Sequence, residues 1–220
     1  MKTVRVFFSK IDRAKYISHL DLARSLTRAF ARTDLPVWYT EGFNPHFYLT
    51  FALPLPLGFT GLEESLDFRL VEDDYPLDRV GEKLSAVFPP DIRVLRVAPP
   101  ADDPRAITWA DYTLRLTPDG GTPRQMAKAL EDFLAQAEIP VEKKTKHRTT
   151  TVDLRPQVRD CRMEPGEEDL ILTLRLAAGG TVNLNPNLLL EAFCAQSGVR
   201  LAYQQVERTA ILKEDGTRFA

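Results

Sequence analysis

Three prolines fall within the seven residues Ala98-Pro99-Pro100-Ala101-Asp102-Asp103-Pro104, near the middle of the chain. Proline has no N–H to give to a strand ladder or a helix interior, so regular structure must end before this stretch and begin again beyond it. A chain of 220 residues divides there into parts of roughly the size at which a domain buries its own core. The boundary is set at 104/105, with one unit over 1–104 and a second over 105–220.

The same order of elements is predicted on both sides of the prolines. Residues 3–9 alternate like a strand, and Leu22, Ala23, Leu26, Ala29 and Phe30 take helical spacing within 19–33. Val37 to Tyr39 reads as a short strand and 41–61 as a long proline-rich loop. Ser65 to Val71 follows as a strand, 76–88 as a helix and Ile92 to Val97 as a strand. The second half repeats this with strand Tyr112 to Leu116, helix 122–137 and strand Ile139 to Lys143. Strand Leu170 to Leu176, helix Pro186 to Gln196 and a long or bulged strand Val199 to Leu212 close it. Two successive βαββαβ orders predict an α+β fold of two tandem ferredoxin-like units with antiparallel sheets.

Composition narrows the function classes. With 44% apolar and 27% charged residues the chain is expected to be an ordinary globular protein. It has no apolar run long enough to span a bilayer and no signal-peptide pattern at residues 1–8, so a cytoplasmic location is expected and no membrane. Cys161 and Cys194 are its only thiols. They suggest no disulfide framework and are too few to hold an iron–sulfur cluster alone. Phosphate-binding loops, dinucleotide fingerprints, zinc spacings and nucleophile elbows are all missing from the sequence, so no cofactor or metal is expected.

The net charge of −2 is unevenly spread. Residues 1–60 carry eight Lys/Arg against four Asp/Glu, whereas residues 61–104 carry five against eleven. Arg24, Arg28 and Arg32 recur every fourth residue on the first helix and form a basic stripe. Lys10, Arg13 and Lys15 lie just before that helix, so this region is a candidate for phosphate contacts. In the second half, Lys143-Lys144-Thr145-Lys146-His147-Arg148 and Arg155 are a further candidate, the alternative being a solvated hairpin loop.

Two short motifs concentrate the remaining chemistry. In Ser18-His19-Leu20-Asp21, Ser18 and Asp21 have the spacing of a helix cap. His19 falls in the first helical turn, where the helix dipole disfavours imidazolium and keeps the ring available as a base. In Glu41-Gly42-Phe43-Asn44-Pro45-His46, Phe43, Asn44 and His46 sit in a long loop, and long ordered loops are disproportionately functional. Residues 38–59 hold seven of the twenty aromatics. Some of these must pack beneath the loop as a satellite cluster.

These motifs, together with Phe8-Ser9-Lys10, Leu35-Pro36 and Pro54-Leu55-Pro56-Leu57-Gly58, resemble the radical SAM-associated family of uncharacterised function. Lys143 to Lys146, Val152-Asp153-Leu154-Arg155 and Arg208-Thr209 extend the resemblance over nearly the whole chain. Phe47 and Tyr48 depart from the family's pattern, which usually has a proline and a basic residue after the histidine. Members occur alone or as the domain C-terminal to cobalamin-type radical SAM proteins, near genes for ribosomal proteins and an RNase. The resemblance implies a radical SAM protein as partner, and the basic stripe and aromatic loop add RNA or a ribosomal component as the expected ligand.

Two functions are compatible with these features. One is a non-catalytic accessory or substrate-binding protein, RNA- or ribosome-related, which acts with a separate radical SAM enzyme. The other is an RNA-processing or RNA-modifying enzyme in which His19 and His46 are the acid–base residues. The expected binding residues are Lys10, Arg24, Arg28, Arg32, Phe43, Asn44, Lys144, Lys146 and Arg155.

Overall fold

A computed structural model describes residues 1–144 and 149–220. The first half runs β1 (Lys2–Lys10), a 3-10 turn (Asp12–Tyr16), α1 (His19–Phe30), β2 (Leu49–Phe51), β3 (Thr60–Leu70), α2 (Leu77–Val87) and β4 (Ile92–Ala98). The second runs β5 (Ile107–Pro118), α3 (Pro123–Leu134), β6 (Pro140–Lys144), β7 (Thr149–Asp153), β8 (Val158–Pro165), β9 (Leu170–Ala177), α4 (Pro186–Ser197) and β10 (Leu201–Lys213). The α+β class is as expected.

The sheet organisation differs from the expectation. One mixed eight-stranded sheet runs through both halves in the order β4-β1-β3-β10-β5-β9-β8, with β2 beside β3. Its neighbours are antiparallel except for β3 and β10, which are parallel and in register only at Thr60 with Glu207 and Gly61 with Arg208. This short seam joins the halves.

Three local predictions are corrected. Val37 and Tyr39 form only single bridges, to Leu70 and Phe47, and the short strand is Leu49–Phe51, antiparallel to β3. Ile139 to Lys143 overlaps β6, which pairs with β7 in a separate hairpin outside the large sheet. The sheet position next to β9 is taken by β8. That edge strand is mostly solvent-facing and so has no apolar alternation to reveal it.

Side-chain alternation assigns the two faces of the sheet. Val4, Val6 and Phe8 of β1 and Leu66, Phe68 and Leu70 of β3 meet Leu22, Leu26 and Phe30 of α1 and Val80 and Leu84 of α2 in one core. Leu114 and Leu116 of β5 and Leu172 and Leu174 of β9 meet α3 and α4 in a second core. That second core also takes Leu53, Leu55 and Phe59 from the first-half loop, so the halves interlock instead of merely abutting. Burial of each such side chain contributes about 1.5–3 kcal/mol, which fixes the loop firmly.

A bulge reassigns the end of β10. Arg208 pairs with Tyr112 and Ala210 with Asp111, which leaves Thr209 as an extra residue. Before it, Val206 faces the helices. After it, Ala210 and Leu212 point to the other face, where they cluster with Trp109 and Ala177. One inserted residue reverses the alternation of a strand in this way.

The proline linker does not hang free. The backbone N–H groups of Ala101 and Asp102 donate to the Ala220 carbonyl at 3.1 and 2.7 Å. The Asp102 carboxylate accepts from Lys213 Nζ at 3.0 Å and from the Ala220 N–H at 2.9 Å. Linker and closing segment are thus tied together over the first half's helix-free face.

Candidate functional site

The segments Phe8-Ser9-Lys10, Pro54–Gly58 and Arg208-Thr209 meet at or beside the seam. Lys10 from β1, Glu64 from β3 and Arg208 from β10 are 1%, 3% and 2% exposed. Arg208 donates from Nε to Glu64 Oε1 at 2.9 Å, and a second, shorter bond from Nη2 to Glu64 Oε2 completes a bidentate pair. Nη2 also reaches the Leu53 carbonyl at 2.7 Å, which fastens the Pro54–Gly58 segment to the seam. Gly61 is required here, because a Cβ at that position would lie 2.3 Å from Glu64 Oε1.

Electrostatics follow from this burial. Burial by itself depresses the Arg208 guanidinium, but the charge and hydrogen bonds of Glu64, with Tyr112, outweigh it and hold the group above its ordinary value. Burial raises the Tyr112 hydroxyl, with Arg208 opposing. Lys10 is lowered, first by burial and then by Arg208, while Glu64 pulls the other way. Its Nζ has the Lys15 carbonyl at 3.5 Å. One carboxylate thus serves two buried cations.

The first motif sets the start of α1. Ser18 caps the helix, accepting from the Asp21 N–H at 3.2 Å and donating to the Asp21 carboxylate at 2.7 Å. His19 packs edge-on against Phe51, with centroids 4.8 Å apart, and its buried Nδ1 has no hydrogen-bond partner among the described residues. Burial, and after it the charge of Lys10, holds the imidazole below its ordinary value of 6.5.

That shift predicts a pH dependence. Between 6.5 and the lower folded-state value, the unfolded chain binds the proton and the folded chain does not. The contribution of His19 to stability is therefore complete above this window and is lost as the pH falls through it. His19→Phe, which keeps a ring against Phe51, is expected to flatten the acid limb in urea unfolding measured across this window. An unchanged limb would show that the ring is not held neutral.

The second motif lies at the surface. Phe43 and Asn44 are exposed, as is His46. The His46 ring Nδ1 lies 2.9 Å from Thr40 Oγ1 and 3.2 Å from the Asn44 carbonyl, and the His46 backbone N–H donates to Thr40 Oγ1 at 3.1 Å. Of the aromatics around it, Phe47 is buried against Phe30 and Phe68. Arg69 lies over both Trp38 and Tyr48, at 5.3 and 4.7 Å from the ring centroids.

The expected cationic residues separate on inspection. Lys10 is interior, so it offers no surface charge to a phosphate. Arg24 is exposed and pairs with Asp21 at 3.3 Å, and Arg28 is exposed. Arg32 donates to the Val87 carbonyl at 2.7 Å, closing the end of α2. Arg155 donates to the Val158 carbonyl at 3.1 Å within a 3-10 turn. Lys144 ends β6, and Lys146 lies outside the described residues. No group of three or more His, Cys, Asp or Glu side chains suited to a metal occurs among the described residues, and none of their helices is long and apolar enough to cross a membrane.

Glu64 and Arg208 were not singled out from the sequence as a pair, although a signal for them exists. Lys10 ends the inward row Val4, Val6, Phe8. Glu64 begins the inward row Leu66, Phe68, Leu70, and Arg208 follows Val206. Charges of opposite sign at the ends of inward rows mark strands that meet at one buried point.

Comparison with known proteins adds family and fold. No curated protein matches the chain. The crystal structure of a Cbf5-Nop10-Gar1 complex is similar over 96% of this chain and 50% of that chain, at 12% identity and a TM-score of 0.50. This chain thus spans half the length of that one, and the likeness is one of fold. The crystal structure of an unknown protein from Galdieria sulphuraria is matched over 94% of this chain and 98% of that one, at 14% identity and a TM-score of 0.24. A family model described as an uncharacterized protein conserved in bacteria (DUF2344) matches residues 3–186, and the chain belongs to that family.

Proposed function

We propose that this protein is a non-catalytic accessory or substrate-binding module for RNA or a ribosome-linked component, serving a separate radical SAM enzyme that supplies the cluster chemistry. In this reading each half is a ferredoxin-like unit, divided at 104/105. The strand orders β4-β1-β3-β2 and β10-β5-β9-β8 support it.

The observation that carries the proposal is the division of labour within the motif segments. Lys10 and Arg208 of these segments are turned inward to meet Glu64 at the seam, and the His46 Nδ1 is engaged by Thr40 and Asn44. Beside the exposed polar residues Asp21, Glu41, Asn44 and His46, these segments present Leu20, Phe43 and Leu57 to solvent, with Tyr16 just before them and Arg24 and Arg28 exposed on α1. Acid–base catalysis needs titratable groups sharing one reacting centre, whereas stacking aromatics and arginines suit a single-stranded nucleic acid. The similar chain belongs to a Cbf5-Nop10-Gar1 complex, in keeping with a role in an assembly.

The test is fluorescence anisotropy with a labelled single-stranded RNA. Arg24→Gln/Arg28→Gln is expected to weaken binding and to reduce the slope of log affinity against log salt by about 1.4, or about 0.7 per lost contact. Equal affinity and slope in the variant would remove RNA from the account. Native co-purification is expected to recover a radical SAM enzyme. One observation favours the second reading, an RNA-processing enzyme: His19 is kept neutral with an unpartnered Nδ1. RNA turnover lost in His19→Asn, with RNA binding intact, would select it.

A further inference from the structure

The helix-free face of the second half carries a hollow of about 570 Å³ that the motif segments do not reach. Such a face of an antiparallel sheet is normally solvated and polar. Here the bulge at Thr209 instead gathers Trp109, Ala177, Ala210 and Leu212 on it. Ile107, Pro156, Ala178 and Val182 add apolar walls to the hollow. One wall is held close by Gly179, whose φ of 143° suits glycine alone and whose Cβ would lie 2.4 Å from the Ile107 carbonyl oxygen.

Two polar atoms in this lining are orphaned. Trp109 is 7% exposed, and neither its buried Nε1 nor the Thr108 hydroxyl has a partner among the described residues. A buried donor left unpaired costs about 1–3 kcal/mol, and these two, closed to solvent in the structure, can meet an acceptor in the hollow once the cover over the indole is lifted. The Gln157 side chain spends its Nε2 on the Asp153 carbonyl at 2.9 Å, so Oε1 is the atom it can offer. Arg159 lies over the Trp109 ring at 4.1 Å and is itself exposed, so it can lift to admit a flat group between guanidinium and indole.

Apolar walls, a planar cation over an indole, two donors and one acceptor together describe a site for a flat heterocycle with acceptors and a donor on its edge. The volume falls in the usual range for small-molecule sites, about 300–1,000 Å³. We propose that this hollow binds a nucleobase, stacked against Trp109 and Arg159 and hydrogen-bonded by Trp109 and Thr108. The choice of a base over other flat heterocycles rests on the RNA reading above.

The test uses the full chain carrying Trp38→Phe, which leaves Trp109 as its only indole. Titration with AMP, GMP, CMP or UMP is expected to quench its fluorescence saturably, and ribose 5-phosphate to leave it unchanged. If the base is taken only from a strand, mononucleotides have no effect, and a short single-stranded RNA quenches while its abasic counterpart does not. Thr108→Val and, by calorimetry, Trp109→Phe are expected to weaken binding roughly five- to tenfold, the share of one hydrogen bond. Thr108→Val keeps the fold testable should Trp109→Phe not fold. Quenching by neither mononucleotides nor base-bearing RNA overturns the proposal. Failure of the unsubstituted chain to bind RNA in the anisotropy assay, with AMP quenching intact, would refute the RNA reading and leave this site standing.

Discussion

Glu64→Ala is expected to lower the unfolding free energy by about 3–5 kcal/mol, the usual cost of removing one partner from a buried ion pair. The loss is steep because two buried cations depend on that carboxylate. Arg208 keeps the Leu53 carbonyl and the Tyr112 hydroxyl, and Lys10 loses the charge that opposes the effect of Arg208 on it. Domains are stable by about 5–15 kcal/mol, so a large fraction of the total is at stake. At this chain length the fall in Tm is roughly 10 °C. Glu64→Leu/Arg208→Met, which removes the pair together, is expected to recover much of the loss, since apolar replacement of a whole buried pair is often neutral or better. A loss below about 1 kcal/mol in Glu64→Ala, the range of exposed pairs, would falsify the enclosed seam. The variants are compared by urea unfolding followed by circular dichroism.

Arg5→Ala is expected to cost a similar amount, about 3–5 kcal/mol, on the opposite face. Arg5 is fully buried and makes a bidentate pair with Asp67, both bonds at 2.7 Å. Its Nη1 also donates to the carbonyls of Asp102 and Ala220 at 3.0 and 2.8 Å. Phe219 lies under the guanidinium, 4.3 Å from carbon to ring centroid. One side chain therefore holds β3, the proline linker and the segment after β10. A stability loss should be accompanied by faster proteolysis at residues 214–220, where Arg5 supplies the anchor. Arg5→Lys is expected to rescue little, because an ammonium cannot reproduce the planar fork. Slow proteolysis of Arg5→Ala at these residues, together with unchanged stability, would remove that role.

The helices and most long strands were legible because each has one apolar face. The periodicity of Leu22, Leu26 and Phe30 gives α1, and that of Leu170, Leu172, Leu174 and Leu176 gives β9. β8 was not legible, since an edge strand with most of its side chains in water carries no alternation. Nor was the single sheet, which depends on two residue pairs between β3 and β10. Among the site residues, Ser18 was read correctly as a cap because capping is local. Lys10 was read as a surface charge, as lysine usually is, because the carboxylate that keeps it inside lies 54 positions away on another strand. Arg32 likewise read as part of a stripe until α2 placed a carbonyl within its reach.

The seam also imposes an order on synthesis. Glu64 and Arg208 are 144 positions apart, so at about 5–20 residues per second the first waits roughly seven to thirty seconds for the second to be made. During that interval Leu53, Leu55 and Phe59 have no second core to enter, and the Thr60 end of β3 has no β10 beside it. An unpaired strand end next to exposed leucines is the kind of surface that chaperones hold and that pairs with the wrong neighbour. The first half of this chain is thus the part most in need of protection as it leaves the ribosome, and the arrival of Arg208 ends the exposure.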